Sequence, residues 1–230
     1  MKKIIKLKEK QLEKNGLPGN LLYMQKDKYH FVDSFCNAMI INNNEPAEDS
    51  TFNLAFDVEK YFINFLEACK HSNNPPAILT VNAYTRFEDI EEALGKNYTY
   101  LDSNSNVAEV HDKNFFMNIT AEKFEPVLES LLETRRDIFP APNNIVVFIF
   151  NAEDTKLPSI ERITTVSRSR NIFVTTLIAD KQKFDELYMP EILEIVEANS
   201  KLIFNCNQNE ILSVTLKPTG AKPKTIKFER

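Results

Sequence analysis

The strongest constraint on the fold is the stretch from Asn37 to Asn82, in which two apolar runs flank one long amphipathic segment. Ala38–Ile41 and Ala77–Val81 are short enough to be buried strands. Between them, a polar loop leads into Ser50–His71, where apolar residues recur every three or four positions and predict a helix. A strand, a helix and a further strand in this order form the crossover unit of a parallel sheet.

The same alternation continues along most of the chain. The most apolar run, Ile145–Phe150, contains no polar residue, as expected for a central parallel strand covered on both faces. Further strands are predicted at 20–24, 29–33, 98–101, within 107–118, and at 172–179, 201–205, 210–216 and 225–228, and helices at 85–94, 121–139, 158–170, 181–188 and 190–199. We therefore predict an α/β domain with a mainly parallel central sheet and helices on both faces.

Length and composition set the domain organisation and narrow the function classes. With 230 residues, we expect a leading segment or linker end at 1–19 and a single domain at 20–230. No apolar run approaches the roughly 20 residues of a membrane span, so a soluble chain is expected. A net charge of −5 disfavours nucleic-acid binding as the main role.

The cysteines and histidines indicate neither disulfides nor a metal centre. The three cysteines are far apart and lie in or beside apolar runs, which predicts buried free thiols in a reducing cytoplasm. The three histidines share no metal-ligand spacing. No metal site is therefore expected.

The loop before the long helix occupies the place where nucleotide-hydrolysing domains carry the phosphate loop G-x-x-x-x-G-K-[ST]. With the final hydroxyl aligned on Ser50, the glycine positions fall on Asn43 and Glu48, and the lysine position falls on Asp49. Only the hydroxyl remains, and a carboxylate in place of the lysine repels phosphate. Acids at a helix start also have a simpler explanation, because they stabilise the helix dipole. None of the four glycines follows a buried strand, so we expect neither ATP nor magnesium as a cofactor.

The end of the run Ile145–Phe150 is the second place where nucleotide chemistry would be visible. Active domains of this architecture end the corresponding strand with an acid that holds magnesium, often followed by one that positions water. Here Asn151 and Ala152 follow, and Glu153 comes late. We interpret Glu153 and Asp154 as solvated acids of a loop or a helix start. The alternative is an unconventional NTPase that uses Ser50, Glu153 or Asp154, with Arg168 or Arg170.

Several segments resemble the FtsK/VirD4-type motor ATPases. The similarity covers roughly residues 20–216 and depends on the order of elements more than on motifs. Its first piece is "AMIINNNEPAEDSTFNLAFDVEKYFINFLEACKHSNNPPAILTVNA", for the phosphate-loop unit. The later pieces are "EPVLESLLETRRDIF", "NNIVVFIFNAED", "LPSIERITTVSRSRNIFVTTLIADKQKF" and "ILEIVEANSKLIFNCN". Within this group the chain is most similar to the degenerate C-terminal ATPase-like domain of type VII secretion coupling proteins of the EssC/EccC type.

The resemblance implies a P-loop NTPase (RecA/FtsK-like) architecture without a functional phosphate loop. It further implies a non-hydrolysing cytoplasmic domain of a membrane-anchored, homo-oligomerising bacterial protein, whose active ATPase domains lie elsewhere. The implied partners are secreted protein substrates and other parts of the secretion machinery. Nucleic acid is not expected as a partner, because of the net charge of −5. A degenerate conjugative or DNA-translocase coupling domain is the alternative within the group. No motif marks a substrate pocket.

Overall fold

The strands and helices of the protein follow the predicted alternation. The computed structural model describes residues 3–25, 27–42, 51–110, 112–136, 143–207, 210–220 and 222–227. The strands are β1 (Ile4–Leu7), β2 (Leu21–Gln25), β3 (Lys28–Val32), β4 (Ala38–Asn42), β5 (Ala77–Val81), β6 (Thr99–Leu101), β7 (Phe115–Ile119), β8 (Ile145–Ile149), β9 (Ile172–Ile178), β10 (Leu202–Asn207), β11 (Glu210–Leu216) and β12 (Lys224–Lys227). The helices are α1 (Glu9–Asn15), α2 (Thr51–Lys70), α3 (Phe87–Leu94), α4 (Ala121–Thr134), α5 (Ile160–Val166), α6 (Lys181–Tyr188) and α7 (Pro190–Asn199).

In the described part of the chain, nine strands form the central sheet, in the order β12-β11-β10-β4-β9-β8-β5-β7-β6. The seven strands from β10 to β6 run parallel, while β11 and β12 are antiparallel to their neighbours. This confirms the predicted mainly parallel sheet and places β8 in the middle of its parallel part. The strands on either side of α2 are not neighbours, because β9 and β8 lie between β4 and β5.

Helices cover both faces of the sheet, as predicted, and each face has its own hydrophobic core. Helices α2 and α3 pack on one face, and α4 to α7 pack on the other. Side chains alternate along β8, so Phe148 points into the first core and Val147 into the second. In the first core, Phe62 of α2 meets Phe148 and Phe150 edge-on, at ring-centroid distances of 5.0 and 5.2 Å.

The N-terminal residues contribute structure where a leading segment or linker end is predicted. Strands β1, β3 and β2 form a separate antiparallel sheet in which Ile5 pairs with Phe31. Leu12 of α1 is fully buried in the same core as α2. The hydroxyl of Tyr61 in α2 donates to the carbonyl of Leu21, at 2.9 Å, and so links the small sheet to α2. Residues 3–19 are therefore packed against the domain; the domain boundary itself stays a prediction.

Some predicted boundaries differ from the structure. Helix α4 ends at Thr134 instead of residue 139, and Arg135 already has a non-helical backbone. The helix predicted at 158–170 consists of α5 followed by a 3-10 turn at Ser167–Arg170. All three cysteines are buried, as predicted, and none of them forms a disulfide within the described part of the chain. Among the described helices, none combines the length and apolar character needed to cross a membrane.

Candidate functional site at the carboxyl edge of the sheet

The turn after β8 positions the predicted acids at the carboxyl edge of the parallel strands. Asn151 adopts a positive φ of 46°, a left-handed conformation that Asn tolerates better than most residues. The turn brings Ala152 into the core, where its backbone N–H donates to the carbonyl of Leu177 in β9, at 3.0 Å. The chain therefore leaves β8 directed towards the end of β9. In α/β sheets, this carboxyl edge is where ligands bind.

Glu153 points inward and joins the ends of two neighbouring strands. The residue is only 5% exposed, so the prediction of a solvated acid is wrong for Glu153. One carboxyl oxygen, Oε1, accepts hydrogen bonds from the backbone N–H groups of Ala179 and Asp180, at 3.1 and 3.2 Å. Burial raises the pKa of Glu153 to about 7, with a smaller contribution from the charge of Asp154. The carboxyl group thus titrates near neutral pH, while it holds the turn between β9 and α6.

The next acid along the chain is engaged as well. The carboxylate of Asp154 forms an ion pair with the ammonium of Lys183 on α6. Asp180 caps α6, because its Oδ1 accepts from the backbone N–H of Lys183 at 3.0 Å. Glu153, Asp154 and Asp180 therefore all have structural partners within the β8–α6 region.

Two asparagines at the same edge were not singled out by sequence reasoning. Asn82 follows β5 with a φ of 57°, and its Oδ1 accepts from the backbone N–H of Ala121 at the start of α4, at 3.0 Å. Asn118 lies at the end of β7, and its Oδ1 accepts from the hydroxyl of Thr80, at 2.9 Å. The sequence pattern that could have identified both residues is an asparagine at or next to the end of an apolar run that predicts a buried strand. Both residues order the carboxyl edge by hydrogen bonding.

An aromatic side chain lies over this region from the α2 face. Tyr84 is 42% exposed and packs edge-on against Phe150, at a ring-centroid distance of 5.6 Å. Burial, together with the charges of Glu59 and Glu153, raises the pKa of Tyr84 to about 12. The phenol therefore stays neutral at physiological pH and presents a hydroxyl group close to the acids.

The structure brings together only part of the predicted site. Asn151, Ala152 and Glu153 share one turn, and the parallel pairing of β4 with β9 places the end of β4 at the same edge. The loop positions Asn43, Glu48, Asp49 and Ser50 lie outside the described residues.

The arginines named for the alternative NTPase lie at the opposite edge of the sheet. Arg168 and Arg170 precede β9, whereas Glu153 bonds to residues that follow it. The seven residues of β9 span roughly 20 Å. This separation leaves neither arginine beside Glu153. Among the described residues, no group of three or more His, Cys, Asp or Glu side chains is placed to hold a metal ion.

No protein-family model matches the sequence, and no curated protein matches it. Among solved structures, the genome-packaging NTPase B204 of Sulfolobus turreted icosahedral virus 2, in complex with ATP-γS, is 12% identical; the match covers 84% of this chain and 97% of that chain, with a TM-score of 0.48. Its AMP complex matches at 14% identity over 74% of each chain, with a TM-score of 0.45.

EssC (ATPases 2 and 3) from Geobacillus thermodenitrificans is 10% identical to this chain, with a TM-score of 0.43. That match covers 78% of this chain and 34% of the EssC chain. Likenesses as distant as these carry no information on the activity of this chain.

Proposed function

We propose that this chain is a non-hydrolysing, ATPase-like domain that acts by binding other proteins. The supporting observation is the engagement of both acids that follow β8. Glu153 bonds to the turn between β9 and α6, and Asp154 forms an ion pair with Lys183. An ATPase needs an acid at this position to hold magnesium and another to position water.

Recruiting either acid for magnesium would cost existing interactions. Magnesium requires oxygen ligands in near-ideal octahedral geometry. If Glu153 turned towards a metal ion, the partly buried N–H groups of Ala179 and Asp180 would lose their acceptor, and an unpaired donor costs up to about 3 kcal/mol where it is fully buried. Asp154 would have to leave Lys183. The proposal therefore assigns both acids a structural role.

In this proposal the domain belongs to a longer, membrane-anchored secretion coupling protein of the type VII kind, on the cytoplasmic side of the membrane. It recognises secreted proteins or stabilises the assembly, and the full protein homo-oligomerises and hydrolyses ATP in other domains. The supporting observation is a combination of two features. The strands and helices follow the order expected for an NTPase-like domain, while Glu153 and Asp154 are held by other protein groups.

Thermal unfolding with Mg-ATP tests the proposal. A ligand that binds only the folded state and is present at a concentration of 100 times its Kd stabilises the protein by about 2.7 kcal/mol. This stabilisation raises Tm by several degrees. We expect no saturable shift in calorimetry across micromolar to millimolar Mg-ATP, with magnesium alone as the control. A saturable rise in Tm at micromolar Mg-ATP would overturn the proposal that the domain acts without binding nucleotide.

A second candidate, a weak NTPase, is favoured by one observation. The pKa of Glu153 is raised to about 7 at the ligand-binding edge of the sheet, and strongly shifted acids are enriched at catalytic sites. Phosphate release from ATP discriminates the two candidates. The weak NTPase requires turnover that Glu153→Gln abolishes, whereas the interaction domain gives the same background for both proteins.

A further inference from the structure

The arginines of this chain are concentrated at one end of the second core. Five of the seven lie at the end of α4 or on α5 and the 3-10 turn that follows it. They are Arg135, Arg136, Arg162, Arg168 and Arg170. Such clustering is unexpected in a chain of net charge −5, and it marks the amino edge of the parallel sheet, opposite Glu153.

A groove runs between α4 and α5 at this end, with a volume of about 270 Å³. Leu132 of α4 and Val166 of α5 provide its apolar surface, and Val166 is 42% exposed. Glu133, Arg136 and Arg170 also line the groove. The ion pair between Arg162 and Glu129 crosses between the two helices.

Two of the arginines have a structural role. The guanidinium of Arg170 donates to the carbonyl of Arg136, at 2.6 Å. The buried guanidinium of Arg135 donates to the carbonyls of Asn143 and Arg170, at 2.9 and 3.2 Å. The carbonyls of Arg136 and Arg170 lie at the ends of α4 and of the 3-10 turn, where cations are favourable.

Arg136 and Arg168 differ from the other three arginines of the cluster, whose guanidinium groups are bonded within the protein. Both side chains are exposed, and within the described ranges neither guanidinium has a hydrogen-bond or ion-pair partner. The planar guanidinium fork matches a carboxylate in a bidentate geometry. Arg136 lines the groove, and Arg168 lies on the 3-10 turn between two lining residues, Val166 and Arg170. Guanidinium groups next to an apolar surface are complementary to a segment that carries both carboxylates and apolar side chains.

We infer that the groove between α4 and α5 is a docking surface for an acidic, partly apolar segment of a partner protein. Carboxylates of the partner pair with Arg136 and Arg168, and an apolar side chain lies over Leu132 and Val166. A phosphodiester backbone carries a negative charge at every repeat and offers no apolar side chain for Leu132 and Val166. Protein is therefore the class of partner that fits.

The inference rests on the proposed protein-binding function and names its surface. The proposed function and the docking groove can nevertheless be refuted independently. Stabilisation by Mg-ATP would overturn the proposed function without altering peptide binding at the groove.

Fluorescence anisotropy with a labelled peptide of alternating Glu and Leu tests the groove. The double variant Arg136→Glu/Arg168→Glu is compared with Lys10→Glu/Lys96→Glu, which changes the net charge equally at exposed positions elsewhere. We expect the wild type and the lysine variant to bind alike, and the arginine variant to bind at least about tenfold more weakly. Added salt should weaken the wild-type complex.

A charge-neutral variant and a basic control peptide test whether binding depends on the arginines and on the carboxylates of the peptide. Arg136→Gln/Arg168→Gln should lose part of the affinity without charge reversal, and circular dichroism checks that each variant is folded. A peptide with Lys in place of Glu should not bind the groove. The inference is overturned if the wild type does not bind the Glu-Leu peptide or if the arginine variant binds it as tightly. It is also overturned if labelled duplex DNA binds the wild type as well and loses its affinity in the same variant.

Discussion

At the scale of single residues, Glu153 makes the stability of the protein depend on pH. Its pKa in the folded state is about 7, above the ordinary value of 4.5 that applies to the unfolded chain. Between these values the folded protein holds a proton that the unfolded chain has released, so the free energy of unfolding falls as pH rises through this window. The loss is complete above pH 7 and amounts to at most about 3 kcal/mol.

Urea unfolding at pH 5 and pH 8 measures this contribution. We expect Glu153→Gln to reduce the stability difference between the two pH values by about 2–3 kcal/mol relative to the wild type, because the amide cannot ionise. The exposed Glu161→Gln serves as the control and should leave the difference as in the wild type. Equal differences in all three proteins would mean that Glu153 ionises normally in the folded state.

Among the secondary-structure elements, Asn37 joins three that are distant in sequence. This residue precedes β4 and is 3% exposed. Its Oδ1 accepts from the backbone N–H of Val174 in β9, at 3.0 Å, and its Nδ2 donates to the carbonyl of Thr164 in α5, at 2.7 Å. Its carbonyl accepts from the N–H of Lys201, just before β10, at 2.8 Å. One amide side chain thus fixes α5 against the sheet.

Replacing this amide should destabilise the protein without changing its fold. Asn37→Ala leaves a buried N–H of β9 and a buried carbonyl of α5 unpaired, which predicts a loss of about 2–4 kcal/mol in the free energy of unfolding. Chemical denaturation measures it, with the exposed loop variant Asn104→Ala expected within about 0.5 kcal/mol of the wild type. A similar small change for Asn37→Ala would show that these hydrogen bonds contribute little.

For the whole molecule, the small N-terminal sheet shares one hydrophobic core with α2 and the central sheet. We therefore expect Leu12→Ala to cost about 2–4 kcal/mol, as for other fully buried leucines. The protein should also unfold in one transition, with coincident curves from fluorescence and circular dichroism. Lys10→Ala, on the exposed side of α1, is the matched control. If residues 1–19 were a linker, both variants would be equally stable.

Local pattern was sufficient for most individual elements. The apolar runs that became β4, β5 and β8, and the three- and four-residue spacing that became α2, each report burial of a face within a few consecutive residues. The alternation of strands and helices was likewise enough to predict the mainly parallel sheet. The position of Glu153 after β8 was visible as well, since it depends only on where the apolar run ends.

Contacts between distant residues decided the rest. The pairing of β1 with β3, the separation of β4 from β5 by two strands, and the inward turn of Glu153 towards the amides of Ala179 and Asp180 each depend on groups far apart in the chain. The groove between α4 and α5 likewise forms only when these two helices pack side by side. Sequence periodicity records which face of an element is buried, but it carries no record of which element covers that face, and this choice belongs to the packed structure.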